Sequence, residues 1–203
     1  MSLPTELELD AFDALVFDCD GTLADTMPAH FEAWTEIARK YGLSFSEARF
    51  YSLGGAPANK ILAMLAAEQG VALDHEAVAH EKEHLFHDKY LDHVREIEPV
   101  VAIARRYHGH KPLAVATGGI RKVIDRCLNN LGIRDLFDTL VSSEDVAHHK
   151  PAPDTYLEAA RRLGVEPTRC CAFEDTDIGL QAARSAGMTA VDIRPLAAAG
   201  TIR

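Results

Sequence analysis

The sequence predicts an α/β fold: a doubly wound, Rossmann-like parallel sheet core with a small helical cap domain inserted into it. Three observations lead there. Short apolar runs of strand character recur along the chain with helical patterns between them. The connection after the first run is far longer than a parallel crossover needs, and it reads as helix throughout. The residues able to carry chemistry fall at the ends of these runs, where open α/β sheets bind their ligands.

The strand runs are 14–18, 113–117, 139–142, 170–173 and 189–193. Each is brief and mostly apolar, as parallel strands covered on both faces are. Ile124, Leu128 and Leu131 share one helix face before Gly132, and Leu157, Ala160 and Leu163 share another before Gly164. Both glycines read as helix C-caps, and Gly187 follows Ala182 and Ala183 in the same manner. Within the long connection, Phe31, Trp34, Ile37 and Tyr41 form one apolar stripe that ends near Gly42. Ile61, Leu62 and Leu65 form a second, and 75–91 a third that is mostly charged. Residues 1–26 and 95–203 are therefore expected to build a discontinuous catalytic core, and 27–94 the helical cap.

At 203 residues, 47% hydrophobic, the chain suits a soluble globular protein with one large domain or a domain plus an insertion. A net charge of -10 argues against a nucleic-acid partner or an anionic membrane surface. An anionic substrate then needs local positive charge or a metal. No apolar run is long enough to span a bilayer, and the acidic first ten residues lack the apolar core of a signal peptide. Cys19, Cys127, Cys170 and Cys171 show neither metal-ligand spacing nor a disulfide framework. Reduced thiols in a cytoplasmic protein, a monomer, are the expectation.

The chemistry starts at Asp18-Cys19-Asp20-Gly21-Thr22, where two carboxylates leave a buried strand for a turn that uses glycine's freedom. Such a pair divides labour: Asp18 attacks as nucleophile, while Asp20 protonates the leaving group and then deprotonates water. Thr117-Gly118-Gly119 ends the second strand with a hydroxyl and approachable backbone N–H groups suited to phosphate oxygens. Lys150 follows the third strand and Glu174-Asp175 end the fourth. The oxygens of Asp18 and Asp175, with a backbone carbonyl near Asp20, suit the hard ion Mg²⁺; the metal set is Asp18, Asp20, Glu174 and Asp175. Lys150 and Thr117 hold the phosphoryl group. The reaction these groups are expected to carry is phosphate-monoester hydrolysis through an aspartyl-phosphate.

With these residues in place, the chain resembles the haloacid dehalogenase-like superfamily and its β-phosphoglucomutase-like subgroup, over nearly its whole length. Asp18-x-Asp20-Gly21-Thr22-Leu23-x-Asp25-Thr26 is similar to the first family motif, and Thr117-Gly118, Lys150-Pro151 and Glu174-Asp175 to the other three. The resemblance implies that His30, with Trp34, belongs to the cap hinge, and that Lys82 reaches the substrate from the cap. The stretch from His148 to Asp154 and Phe173-Glu174-Asp175 are most similar to phosphatases of fructose 1-phosphate-type sugars. Mutases of the subgroup carry an arginine in the cap's substrate loop. Here that loop is Gly54-Gly55-Ala56-Pro57-Ala58-Asn59-Lys60, with Ala58 at or near the arginine's position. Gly55 and Lys60 are the substrate contacts expected from it, and Lys60 is a point charge where a bidentate fork is needed. A phosphatase of a small sugar phosphate is thus favoured over a β-phosphoglucomutase-type phosphohexomutase.

One motif belongs to another enzyme class. His80-Glu81-Lys82-Glu83-His84 matches the H-E-x-x-H pattern of zinc metalloproteases. Charged Lys82 and Glu83 suit a solvated helix, and no H-x-x-G-x-x-H continuation follows, so this is the remote alternative.

Overall fold

The computed structural model describes residues 9–53 and 58–195. Two compact units emerge: one from the residues up to Asp25 and from Arg95 onward, the other Thr26–Val94. In chain order, β1 (Ala14–Phe17) and the two-residue β2 (Ala24–Asp25) precede the helices α1 (Met27–Tyr41), α2 (Glu47–Ser52), α3 (Ala58–Gln69) and α4 (His75–Leu85). After a π-helical turn at Phe86–Tyr90 come β3 (Arg95–Glu96), α5 (Glu98–Tyr107), β4 (Leu113–Ala116), α6 (Arg121–Asn130) and β5 (Thr139–Val141). The chain continues through α7 (Asp154–Leu163), β6 (Cys170–Glu174), α8 (Asp177–Ser185) and β7 (Thr189–Asp192).

Five strands form one sheet in the order β5-β4-β1-β6-β7, and every neighbouring pair is parallel. The chain works outward from β1 to one edge, then returns to lay β6 against the other side of β1. The strand order therefore reverses between β1 and β6, which is where a doubly wound sheet opens its crevice. In register, Phe17 faces Phe173 and Val16 faces Ala172. Both strands thus stop within one residue of Asp18 and Glu174.

Alternation along the strands makes two unequal faces. Ala14, Val16, Ala114, Ala116 and Ala172 line one face, and their small size admits α7 with Tyr156, Ala159 and Ala160. The larger Phe17 and Phe173 stack at 4.7 Å, and Phe137 meets Phe17 edge-on. The structure corrects the stripe expected on α7. Leu157 is exposed, and the buried face is Thr155, Tyr156, Ala159 and Ala160. The i, i+3 run of Leu157, Ala160 and Leu163, displaced by one position from Tyr156, hid it.

The unit Thr26–Val94 is helical and has its own core of Trp34, Ile37, Leu43, Phe50, Ile61, Leu62, Leu65 and Val78. The chain leaves and re-enters the first unit through an antiparallel ribbon, with Ala24 opposite Glu96 and Asp25 opposite Arg95. Two-residue strands carry no readable periodicity, which is why the sequence does not announce this ribbon. Among the described residues, no helix is long and apolar enough to cross a membrane. All four cysteines are buried free thiols.

Candidate active site

The ends of β1, β4 and β6 converge, and Lys150 reaches them from the loop after β5. Asp18 directly follows β1, its N–H still donating to Phe173 O at 3.0 Å, so its backbone is held by the sheet. Beyond it the chain folds sharply: the N–H groups of Thr22, Leu23 and Ala24 all donate to Cys19 O, at 3.2, 2.9 and 2.9 Å. Gly21 sits in this turn at φ +81°, and a side chain there would run into the Asp175 carboxylate. Only glycine satisfies both demands. Thr22 Oγ1 donates to Asp175 Oδ1 at 3.1 Å, tying the two acidic strand ends together.

Lys150 is the hub. Its side chain is only 9% exposed, and its three N–H bonds go to Asp18 Oδ1 at 2.7 Å, Glu174 Oε1 at 2.7 Å and Ala116 O at 3.0 Å. Burial works against its charge, but Asp18, Tyr156 and Glu174 outweigh burial and hold the ammonium pKa well above its ordinary value. Lys150 is therefore a fixed cation.

Around it the negative charge is in excess. One oxygen each of Asp18, Glu174 and Asp175 lie within 4.8 Å of one another. Burial pushes the Asp18 carboxyl well up, opposed by Lys150 and reinforced by Glu174 and Asp175. Burial and then Glu174 push Asp175 up to about 6. Three carboxylates facing one ammonium is an arrangement a divalent cation relieves, and an all-oxygen set selects a hard one such as Mg²⁺.

Glu174 differs from the other two. It is 1% exposed, and Oε1 accepts from both Lys150 and Tyr156, the latter at 3.0 Å. Oε2 accepts from Asp175 N at 3.0 Å, Thr176 N at 3.1 Å and Thr176 Oγ1 at 3.0 Å. A carboxylate offers about four lone-pair sites, so protein donors already saturate it. Its second constraint is steric, since any side chain at Gly179 of α8 would collide with it. Glu174 is thus built to hold Lys150 and the turn that carries Asp175, and as a direct metal ligand it would have to give up donors. Asp18 and Asp175 fit the ion better.

Thr117 is buried at the end of β4, and its Oγ1 accepts from Gly119 N at 3.0 Å. That N–H is therefore engaged within the turn, whereas the threonine O–H retains its own proton to donate. Gly118 is exposed, with open space where a Cβ would stand. Asp20 is half-buried and its backbone bridges to Ala24. Its carboxylate is not part of the three-oxygen group.

The remaining expected residues belong to the helical unit. Lys82 on α4 is buried, not solvated: it is 3% exposed, with Nζ 2.8 Å from His30 Nδ1 and 3.0 Å from Glu83 Oε1. The rings of Trp34 and Phe86 lie at 5.6 and 5.5 Å from the ammonium, and His30 stacks on Phe86 at 3.8 Å. Burial, then Lys82 and His87, hold the His30 pKa well below the usual imidazole value, so its Nδ1 accepts from Lys82. Lys60 is exposed on α3. Gly55 lies outside the described residues.

The H-E-x-x-H pattern does not assemble a zinc site. The rings of His80 and His84 are 4.6 Å apart, but the only group of three or more metal-ligating side chains among the described residues is Asp18, Glu174 and Asp175. Glu81, the base such an enzyme needs, instead accepts from Lys40 at 2.6 Å and Tyr41 at 2.8 Å. Two neighbours had no sequence signature of their own in the motifs: Tyr156 beside Lys150 and Glu174, and, within the helical unit, Phe86 beside Lys82 and His30. The usable signal for Tyr156 was a polar-tipped aromatic sharing an i, i+3, i+4 face with Ala159 and Ala160.

Known proteins resemble this chain over most of its length. The haloacid dehalogenase-like hydrolase family profile matches residues 12–187. The chain is 42% identical over 187 residues to the fructose-1-phosphate phosphatase YqaB of Escherichia coli (strain K12), covering 92% of this chain and 99% of that protein. It is 29% identical over 188 residues to the β-phosphoglucomutase of Bacillus subtilis (strain 168), covering 89% and 82%. Among solved structures, CbbY from Rhodobacter sphaeroides in complex with phosphate superposes with a TM-score of 0.73 at 26% identity, covering 88% and 84%.

Proposed function

This chain belongs to the haloacid dehalogenase-like hydrolase family, and on that premise we propose that it is a Mg²⁺-dependent phosphatase of a small sugar phosphate, fructose 1-phosphate or a close analogue. The observation that carries the reading is Lys150 bound to Asp18 Oδ1 at the crevice between β1 and β6, beside the carboxylate of Asp175. The identity to a fructose-1-phosphate phosphatase supports the substrate class.

In this reading Asp18 attacks phosphorus and becomes the aspartyl-phosphate, with its carboxylate oriented by Lys150. Asp20 gives a proton to the departing sugar oxygen, then takes one from the water that cleaves the aspartyl-phosphate. Lys150 and the Thr117 hydroxyl hold the equatorial phosphoryl oxygens, where charge spreads in a loose transition state. Asp18, Asp175 and the backbone carbonyl at Asp20 would hold Mg²⁺, which supplies screening between the anionic nucleophile and the anionic ester. The helical unit serves as the cap, with His30, Lys60 and Lys82 contributing substrate contacts.

A second reading, phosphohexomutase, is favoured by the identity to β-phosphoglucomutase. A mutase must retain its bisphosphate while it reorients, a grip suited to arginine's planar fork. Ala58 stands at or near the position where that arginine is expected. The deciding experiment supplies fructose 1-phosphate and, separately, β-glucose 1-phosphate with trace glucose 1,6-bisphosphate, with Mg²⁺ or EDTA. Unprimed, Mg²⁺-dependent release of inorganic phosphate is the expected result. Isomerisation to glucose 6-phosphate much faster than phosphate release makes the enzyme a mutase.

A further inference from the structure

Tyr156 touches both members of the Lys150–Glu174 pair, and the mechanism above does not use it. The residue is completely buried. Its hydroxyl donates to Glu174 Oε1 at 3.0 Å, the same atom that accepts from Lys150 at 2.7 Å. Its ring centre lies 5.0 Å from Lys150 Nζ. Tyr156 stands in the first turn of α7, its N–H donating to Pro153 O at 3.0 Å, so lysine and tyrosine ride on one short stretch of chain. The ring has room because Ala114, Ala116 and Ala172 face it from the sheet side of the same core.

Phenylalanine would fill this space equally well. The hydroxyl is what requires a reason, and its placement gives two. It occupies one of the two lone-pair positions of Oε1, so Lys150 meets that oxygen from one side only. It also draws charge from Oε1, which weakens the pull of Glu174 on the ammonium and leaves Lys150 shared with Asp18. We infer, resting on the phosphoryl-transfer reading above, that Tyr156 is a positioning residue for Lys150. It acts through Glu174 and does not touch the substrate.

The test compares Tyr156→Phe with Tyr107→Phe. Tyr107 is also buried, and its hydroxyl donates to Asp10 Oδ1 at 2.9 Å, on the side of β1 away from Asp18. Each variant loses one phenol–carboxylate hydrogen bond, fully buried at Tyr156 and partly buried at Tyr107, so both should lower Tm, Tyr156→Phe at least as much as Tyr107→Phe. In Tyr156→Phe, kcat for the sugar phosphate should fall roughly 5- to 30-fold while KM changes by less than about twofold, because Lys150 matters most where charge develops. Tyr107→Phe should retain its kcat. A crystal structure of Tyr156→Phe should show Nζ drawn away from Asp18 towards Glu174. Unchanged kcat, a loss confined to KM, or an equal loss in Tyr107→Phe overturns the inference. So does a Tyr156→Phe chain that fails to fold while Tyr107→Phe folds, since the hydroxyl is then a stability element. Wild-type protein inactive on every phosphate ester would defeat the phosphatase reading instead, and the displacement of Lys150 remains readable in the crystal.

Discussion

Each of the two units buries one lysine, and the two are neutralised in opposite ways. Lys150 meets two carboxylates and a carbonyl, with every N–H committed to an oxygen. Lys82 meets an imidazole nitrogen, two aromatic faces and a carboxylate that is itself half in solvent. A buried charge is tolerable only when it is paired or solvated by dipoles, and these are the two solutions. The first fixes a cation against anions that are already present. The second keeps a cation in a mostly neutral setting.

The difference predicts unequal responses to the same substitution. Lys150→Met strands Asp18 and Glu174 as unpaired buried carboxylates and should cost about 3–5 kcal/mol of stability, with turnover lost by about three orders of magnitude or more. Lys82→Met keeps a polarizable side chain among the rings and removes a buried ammonium, at the expense of a donor to His30. Its stability loss should stay under about 2 kcal/mol. Denaturant unfolding of both variants checks the contrast, and equal losses would break it.

Smaller effects follow from the titrating groups. Asp175, raised to about 6, is protonated in the native state over a window in which the unfolded chain has already released its proton. Its ionisation therefore costs stability as pH rises through about 6, and a bound cation offsets that cost. The rise in Tm on adding Mg²⁺ should be large at pH 7.5 and shrink as pH falls below about 6. A Mg²⁺ effect of the same size at pH 5 would contradict the cluster as its source.

His30 behaves with the opposite sign, being depressed. Its contribution is complete above the unfolded imidazole pKa of ~6.5 and is lost as pH falls through the native value, by at most about 1.4 kcal/mol per pH unit. His30→Gln should flatten the stability curve below pH 6.5. A curve as steep as that of the wild type would remove His30 as its cause.

The same contrast explains what could be read in advance. Asp18, Thr117, Glu174 and Asp175 were legible because they follow or end apolar runs whose ends the sheet order brings together, and Lys150 because it precedes Pro151-Ala152-Pro153-Asp154 in the loop after β5. The saturation of Glu174 was not, since its five donors come from two distant stretches, 150–156 and 175–176, and two of them are backbone N–H groups. Tyr156 was hidden by the more conspicuous Leu157 beside it, which points outward. The burial of Lys82 was hidden by its neighbours: within His80-Glu81-Lys82-Glu83-His84 a lysine reads as solvated, and the packing of α1 and the Phe86 turn buries it. Periodicity reports the average character of a face, and single inward polar groups escape it.

In the reading proposed above, Asp18 is the group that takes the phosphoryl unit. The most direct test of that reading is a crystal structure of the protein with Mg²⁺ and beryllium fluoride, which mimics an acyl phosphate on a carboxylate. Beryllium should be bonded to an Asp18 oxygen, with Lys150 Nζ and Thr117 Oγ1 against the fluorides. A trifluoroberyllate on any other side chain, with Asp18 left unmodified, would contradict it.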